Sequence, residues 1–159
     1  MKIGLVRHFF TLLWYSVLAI GCAGSKKAGA GTEVEQGIKG FVGELVGNQM
    51  PGPGRPAQAP RPVSTTVYIY EATTLAQVDR RESGPFYDSI RTRLVKTVVS
   101  DTSGQFLVAL PEGNYSLFTK VDGRYYANLF DAANTIAPAR VEAAKLTEVK
   151  ITISANASF

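Results

Sequence analysis

The sequence predicts an all-β domain, and three observations carry that reading. From Ile38 onward apolar residues come in short extended runs divided by Gly, Pro, Asn and Asp. No stretch holds a 3.6-residue period beyond two turns. The clearest runs alternate apolar with polar residues, the period of a strand that buries one face and wets the other. Candidate strands span 38–46, 65–71, 93–100, 105–110, 115–121, 139–142 and 147–153.

In the first run Ile38, Val42 and Val46 compete with Phe41 and Leu45 for the inward face, and Gly40 and Gly43 mark a bulge or a close approach of sheets. The 65–71 and 93–100 runs are likewise read as strands. Phe106, Val108 and Leu110 alternate cleanly, and Tyr115, Leu117 and Val121 continue the same core. In the last run Val149, Ile151 and Ile153 alternate with Glu148, Lys150 and Thr152. Asp101-Thr102-Ser103-Gly104 is a turn in which the Asp side chain caps its own backbone and Gly104 takes positive φ. Pro111-Glu112-Gly113-Asn114 makes the next reversal, and Val121-Asp122-Gly123-Arg124 reads as a two-residue hairpin turn. Asp101-x-Ser103 has the start of a calcium loop, but Gly104 falls too early and no later Glu completes a cage, so no metal is expected.

Upstream of the domain, Lys2, Arg7 and His8 precede residues 9–20, an uncharged apolar run of twelve. That is short of the roughly 20 residues a membrane-spanning helix needs, and it reads as the h-region of an export signal. The run ends in Leu18-Ala19-Ile20-Gly21-Cys22, which resembles the lipobox of bacterial lipoproteins. In that family small residues before a Cys admit the signal peptidase, and the thiol carries diacylglycerol. The match departs at Ala19, where the family has Leu and this chain has it one place earlier. The resemblance implies a signal peptide over 1–21, a lipidated Cys22 and a flexible tether over 22–36, followed by the domain over 37–159. An ordinary signal cut near Ala23 is the alternative. Cys22 is the one Cys of the chain, and a lone thiol closes no intramolecular disulfide. The Gly-rich stretch after it would give a reach of roughly 20 Å between Cys22 and Gly37.

Composition removes several chemistries. The net charge is +4, and without Lys2 and Arg7 the 17 basic residues fall to 15 against 13 acids, leaving no strong pull toward nucleic acid. With His8 and Cys22 outside the domain, no histidine or thiol remains for a triad or a His–Cys metal site. No Gly-rich phosphate cradle or cofactor motif replaces them.

The stretch S-D-T-S-G-Q-F-L-V-A-L-P-E-G-N-Y-S-L over residues 100–117 is similar to the signature of carboxypeptidase regulatory-like domains, a D-x-x-G-x-F hairpin followed by L-P-x-G-x-Y. The resemblance covers about residues 37–153 and implies a seven-stranded Greek-key β-sandwich of transthyretin-like type. It also implies a non-catalytic module, found among lipid-anchored envelope proteins. The same fold hosts hydroxyisourate hydrolase, which uses histidines, an arginine and a C-terminal tetrapeptide ending in Ser. This chain offers no histidine in the domain and ends Asn156-Ala157-Ser158-Phe159, so that activity is not expected. The zinc ligands of the carboxypeptidase itself are likewise missing.

Two irregular segments and one aromatic cluster are candidate partner surfaces. Residues 48–62 hold five of the eight prolines and read as an exposed polyproline II loop through which no ladder runs, with Arg55 and Arg61 able to meet an acidic partner. Residues 73–89 form a second long connection, in which Phe86 and Tyr87 are placed as an anchor on the sandwich. Tyr125 and Tyr126 invite a glycan, though alternation puts them on opposite faces, so at most one is a free platform. The functional expectation is a lipid-anchored module that binds an envelope protein or a glycan, facing the periplasm from the outer membrane. The alternative is a purely structural accessory lipoprotein. No cofactor is expected.

Overall fold

A computed structural model describes residues 34–50, 52, 54 and 58–159. Cys22, the export signal, most of the tether and Arg55 lie outside the described residues. Within them the fold is all-β, with one 3₁₀ turn at Leu75–Gln77. The strands are β1 Gly37–Asn48, β2 Arg61–Pro62, β3 Thr66–Glu71, β4 Val78–Asp79, β5 Phe86–Tyr87, β6 Ser89–Ile90, β7 Leu94–Val99, β8 Gln105–Ala109, β9 Gly113–Val121, β10 Arg124–Tyr126, β11 Pro138–Val141 and β12 Leu146–Ser158. The seven long runs expected from sequence are β1, β3, β7, β8, β9, β11 and β12. The sequence expectation of seven strands omits β10, whose three residues are too few to show a period.

Two main sheets form. In sheet I, β1 is central, with β12 parallel along its whole length from Gly37↔Leu146 to Asn48↔Ser158, and β8 and β2 antiparallel on its other side. In sheet II the order is β5-β10-β9-β3-β7, with β11 beside β9 ahead of β10, all antiparallel. The Pro-rich stretch is laddered at its end, contrary to the expectation of an unpaired loop: Arg61 and Pro62 sit opposite Glu44 and Gly43, and Val63 N donates to Val42 O at 3.2 Å. Proline is tolerated there because β2 lies at an edge.

The core fills the space between the inner faces. Ile38 and Val42 of β1, Val67 and Ile69 of β3, Phe106 and Val108 of β8, Leu117 of β9, Val141 of β11 and Ile153 of β12 are all buried in one cluster. This settles the inward face of β1, where Phe41 and Leu45 turn outward. Val46 is 47% exposed because the register with β12 shifts between Glu44 and Val46. That bulge lies beyond both glycines. Gly40 instead marks a close approach, since it lies opposite Phe106 on β8 and a Cβ there would stand 2.3 Å from the ring.

A second apolar cluster covers the outer face of sheet II. Tyr70, Phe118 and Ile136 are buried there with Val78 and Tyr87 from the long 72–93 connection. That connection is therefore a third layer, pinned by β4 against β6 and by Arg91 N donating to Gln77 O at 2.9 Å. Tyr87 serves as the anchor expected of it.

The turns follow their chemistry. Asp122 and Gly123, at φ 49° and 78°, join β9 to β10 in a two-residue turn of the left-handed kind that matches strand twist. Asp101 Oδ1 accepts from Ser103 N at 2.8 Å and Gln105 N at 2.9 Å. The same loop recurs at Asp131, whose Oδ1 accepts from Ala133 N at 2.9 Å and Thr135 N at 2.8 Å. Gly104 and Asn134 occupy the same positive-φ place in each, at 77° and 60°. The sequence pattern reveals only the first, because Asn in place of Gly hides the second.

The long edges at β7 and β12 are blunted. The register of β7 with β3 shifts where Leu94 gives way to Lys96, and Lys96 reaches toward the other sheet, its Nζ donating to Ala109 O at 3.2 Å. The outer edge of β12 is met by side chains: Asn128 Nδ2 donates to Thr152 O at 3.3 Å, and Ser154 N donates to the Tyr126 hydroxyl at 3.0 Å. A bulge, an inward-leaning Lys and a covered edge are the devices that stop strands from adding a stray neighbour.

Candidate functional site

Of the six residues nominated as partner surface, Arg55 lies outside the described residues and the other five fall into three groups. Tyr87 and Tyr126 are buried, at 0% and 1% exposure, so neither can meet a partner. Burial follows from the pleat: Tyr126 opposes Thr119 on the inward face of β9, and Tyr87 packs under the third layer. The Tyr126 hydroxyl also exchanges a hydrogen bond with Ser154 Oγ at 3.0 Å, which ties sheet II to the edge of β12. Phe86 is half-buried, edge-on to Tyr126 at 5.3 Å, with the Arg124 guanidinium 5.3 Å from its ring centre. Arg61 is exposed, opposite Glu44. Tyr125 is half-buried, and its ring sits on the outer face of sheet II as the alternation required.

Tyr125 belongs to a cluster that the sequence does not reveal. β3 and β10 flank β9 on either side, so Tyr68 and Tyr70 from β3 meet Tyr125 across the strand between them. Tyr68 lies edge-on to Tyr125 at 5.4 Å between ring centres, and Tyr70 does the same at 5.8 Å. Lys120 of β9 extends its ammonium over both outer rings, 5.1 Å from the Tyr68 centre and 4.6 Å from that of Tyr125. A cation in this position is drawn by the negative ring faces. Lys120 makes no ion pair among the described residues.

The Tyr70 hydroxyl donates to that of Tyr125 at 2.8 Å. Burial first, and then the bond to Tyr125, push Tyr70 well above the usual tyrosine range, so it remains a donor. The Tyr125 hydroxyl thus accepts from below and keeps its own proton for a group outside. The patch carries two ring edges, one ammonium and one directed hydroxyl, all fixed on strands. Residues 68, 120 and 125 are far apart in sequence and of unremarkable type; only the strand order joins them.

Several other charged side chains pair with one another. Asp88 holds Arg124 at 3.2 Å and Arg81 at 3.5 Å, Asp79 pairs with Arg91 at 2.7 Å, and Glu71 pairs with Arg93 at 2.7 Å. Among the described residues no three His, Cys, Asp or Glu side chains gather as metal ligands would. Comparison of the chain with family models, curated proteins and solved structures found no match.

Proposed function

We propose that this chain is a non-catalytic, lipid-anchored envelope protein of the carboxypeptidase regulatory-like type, a transthyretin-like Greek-key sandwich that presents its surface to a glycan or an envelope protein. The observation that carries the reading is the Tyr68–Lys120–Tyr125 patch. Lys120 and the Tyr125 hydroxyl can hydrogen-bond to sugar oxygens, with the ring edges of Tyr68 and Tyr125 packed beside them. Rigid strands hold these groups, so little side-chain entropy is lost on capture. Cys22, at the end of its apolar run, would supply the anchor.

A structural or accessory role is the second reading. It draws on the packing of Tyr87 and Tyr126, which turns two aromatics nominated for contact into core.

The test uses the full chain. Cys22→Ala should leave the membrane fraction or remain unprocessed; a processed variant still fractionating with membranes would sink the lipid anchor. Purified wild-type protein in detergent should cosediment with cell-wall glycan, and the triple variant Tyr68→Ala, Lys120→Ala, Tyr125→Ala should lose at least about tenfold in that binding, one charge-assisted hydrogen bond being sufficient for such a loss. Equal sedimentation of the two proteins would reject the patch. No sedimentation of either, with no cross-linked envelope protein, would favour the structural role.

A further inference from the structure

A second polar site lies at the other end of sheet II, apart from the tyrosine patch. Here β11 runs beside the start of β9, and Arg140 stands directly opposite Asn114. Ala139 and Tyr115, the next pair along, are buried inward, so the pleat turns Arg140 and Asn114 to the outer face. The Asp131 loop rises beside them, held over the 3₁₀ turn by a bridge between Thr135 and Thr74. Between the loop and the strands lies a cavity of about 470 Å³ lined by Asn114, Asp131, Thr135, Pro138 and Arg140. That volume is within the span of about 300–1,000 Å³ common to small-molecule sites.

The chemistry of the lining is specific. One guanidinium and one carboxylate border the same cavity and do not pair: among the described residues neither Arg140 nor Asp131 is in an ion pair. Glu142, just past the end of β11, pairs with Lys145, and its carboxyl is held down by the charge of Arg140 only to a lesser degree. Asp131 spends one carboxylate oxygen on its own loop, on the amides of Ala133 and Thr135. The Asn114 carboxamide makes no hydrogen bond within the described residues. The wall therefore offers a fork of donors, Arg140 with Asn114, and an acceptor of negative charge at Asp131.

We propose that this cavity binds a small zwitterion, an α-amino acid or short peptide, with its carboxylate on Arg140 and Asn114 and its ammonium on Asp131. A guanidinium presents paired donors that match a carboxylate, and the adjacent amide adds a third. A ligand bearing both charges satisfies both walls at once, which a simple anion or a simple amine does not. A neutral sugar fits less well, because it would leave the charges of Arg140 and Asp131 unanswered; the Tyr115 ring, which also borders the cavity, is buried and its hydroxyl donates to Pro111 O at 2.9 Å.

The test is a titration of the purified full chain, followed by NMR or calorimetry, with alanine, the dipeptide Ala-Ala, acetate and ethylamine as separate probes. At least one of the two zwitterions should bind saturably, and acetate and ethylamine at least about tenfold more weakly. Whichever zwitterion binds more tightly says whether a free amino acid or a short peptide is the occupant. Arg140→Gln should weaken that binding by about tenfold or more, as loss of a charge-assisted bond does. Asp131→Asn, which keeps the Oδ1 acceptor of the loop, should do the same; if it melts early, Arg140→Gln and Asn114→Ala carry the test, both at exposed positions. Saturable binding unchanged in Arg140→Gln, acetate binding as tightly as the zwitterions, or no saturable binding of either zwitterion would each overturn the proposal.

Discussion

Gly40 on β1 lies directly across from Phe106 on β8, and the ring of Phe106 occupies the volume that any side chain at position 40 would need: a Cβ would fall 2.3 Å from its Cζ and 2.4 Å from its Cε1. The two residues form one packing unit at the centre of sheet I. Gly40 has ordinary strand φ, so the constraint is steric and not conformational.

Gly40→Ala should accordingly destabilise the domain by about 1–3 kcal/mol through overpacking. Phe106→Ala should cost about 3–5 kcal/mol through the cavity it leaves. The double variant should lose clearly less than the two single costs added, because the methyl group introduced on β1 then fills part of the hole. Urea melts of the four proteins measure this coupling. Strict additivity would mean that the ring and the glycine do not share a volume.

Thr119 is fully buried opposite Tyr126, and among the described residues its Oγ1 has no hydrogen-bond partner. A buried hydroxyl left unmade costs on the order of 1–3 kcal/mol. Val has the same shape without that group, so Thr119→Val should raise the urea midpoint with an unchanged slope. A lowered midpoint would show that the hydroxyl finds an acceptor.

Asp101 and Asp131 hold matching loops, and both carboxyls are kept below their usual 3.8, Asp101 chiefly by the Ser103 hydroxyl and Asp131 chiefly by the Thr135 amide. A folded-state value below the unfolded one stabilises the protein above the unfolded value, and that contribution disappears as pH falls through the folded value. Wild-type protein should thus hold steady from neutral pH down to about 4 in respect of these two groups and weaken below it. The Asp101→Asn, Asp131→Asn double variant should melt earlier at pH 7 and approach wild type in acid. A constant gap in melting temperature at every pH would reject the charge linkage.

Neighbouring tyrosines should behave in opposite ways. Tyr126→Phe removes a hydroxyl that accepts from Ser154 N and exchanges a bond with Ser154 Oγ, and it should cost about 1–2 kcal/mol. Tyr125→Phe leaves β10 packed and takes away one bond, the part-exposed one from Tyr70, against two for Tyr126→Phe, so it should cost less, about 1 kcal/mol, and should weaken glycan capture. Parallel thermal melts and sedimentation would separate the two; equal stability losses would contradict the assignment of their faces.

The alternation of Phe106, Val108 and Leu110 and of Val149, Ile151 and Ile153 was legible because a strand with one wet face writes its geometry directly into the sequence. In β1 the same rule fails. Gly40 holds an inward place without being apolar, while Phe41 lies outward beside Gly43 and Gly104, so the pattern reads ambiguously. The third layer was half legible: Tyr87 marked an anchor, but two-residue strands such as β4 and β6 carry no period. Of the tyrosine patch only Tyr125 was legible, and of the zwitterion cavity nothing. Tyr68 meets Tyr125, and Asn114 meets Arg140, through strand pairings that local spacing does not encode.

The parallel pairing of β1 with β12 also sets how the domain bears tension. A chain entering at Gly37 and leaving past Ser158 starts one strand and ends its partner at opposite ends of the same ladder. Pulling those two points apart slides β1 along β12 and loads their slanted, evenly spaced hydrogen bonds together, instead of peeling them one after another. If residue 22 is fixed to a membrane and the far end is drawn outward, the domain meets the pull in shear, as a mechanical clamp.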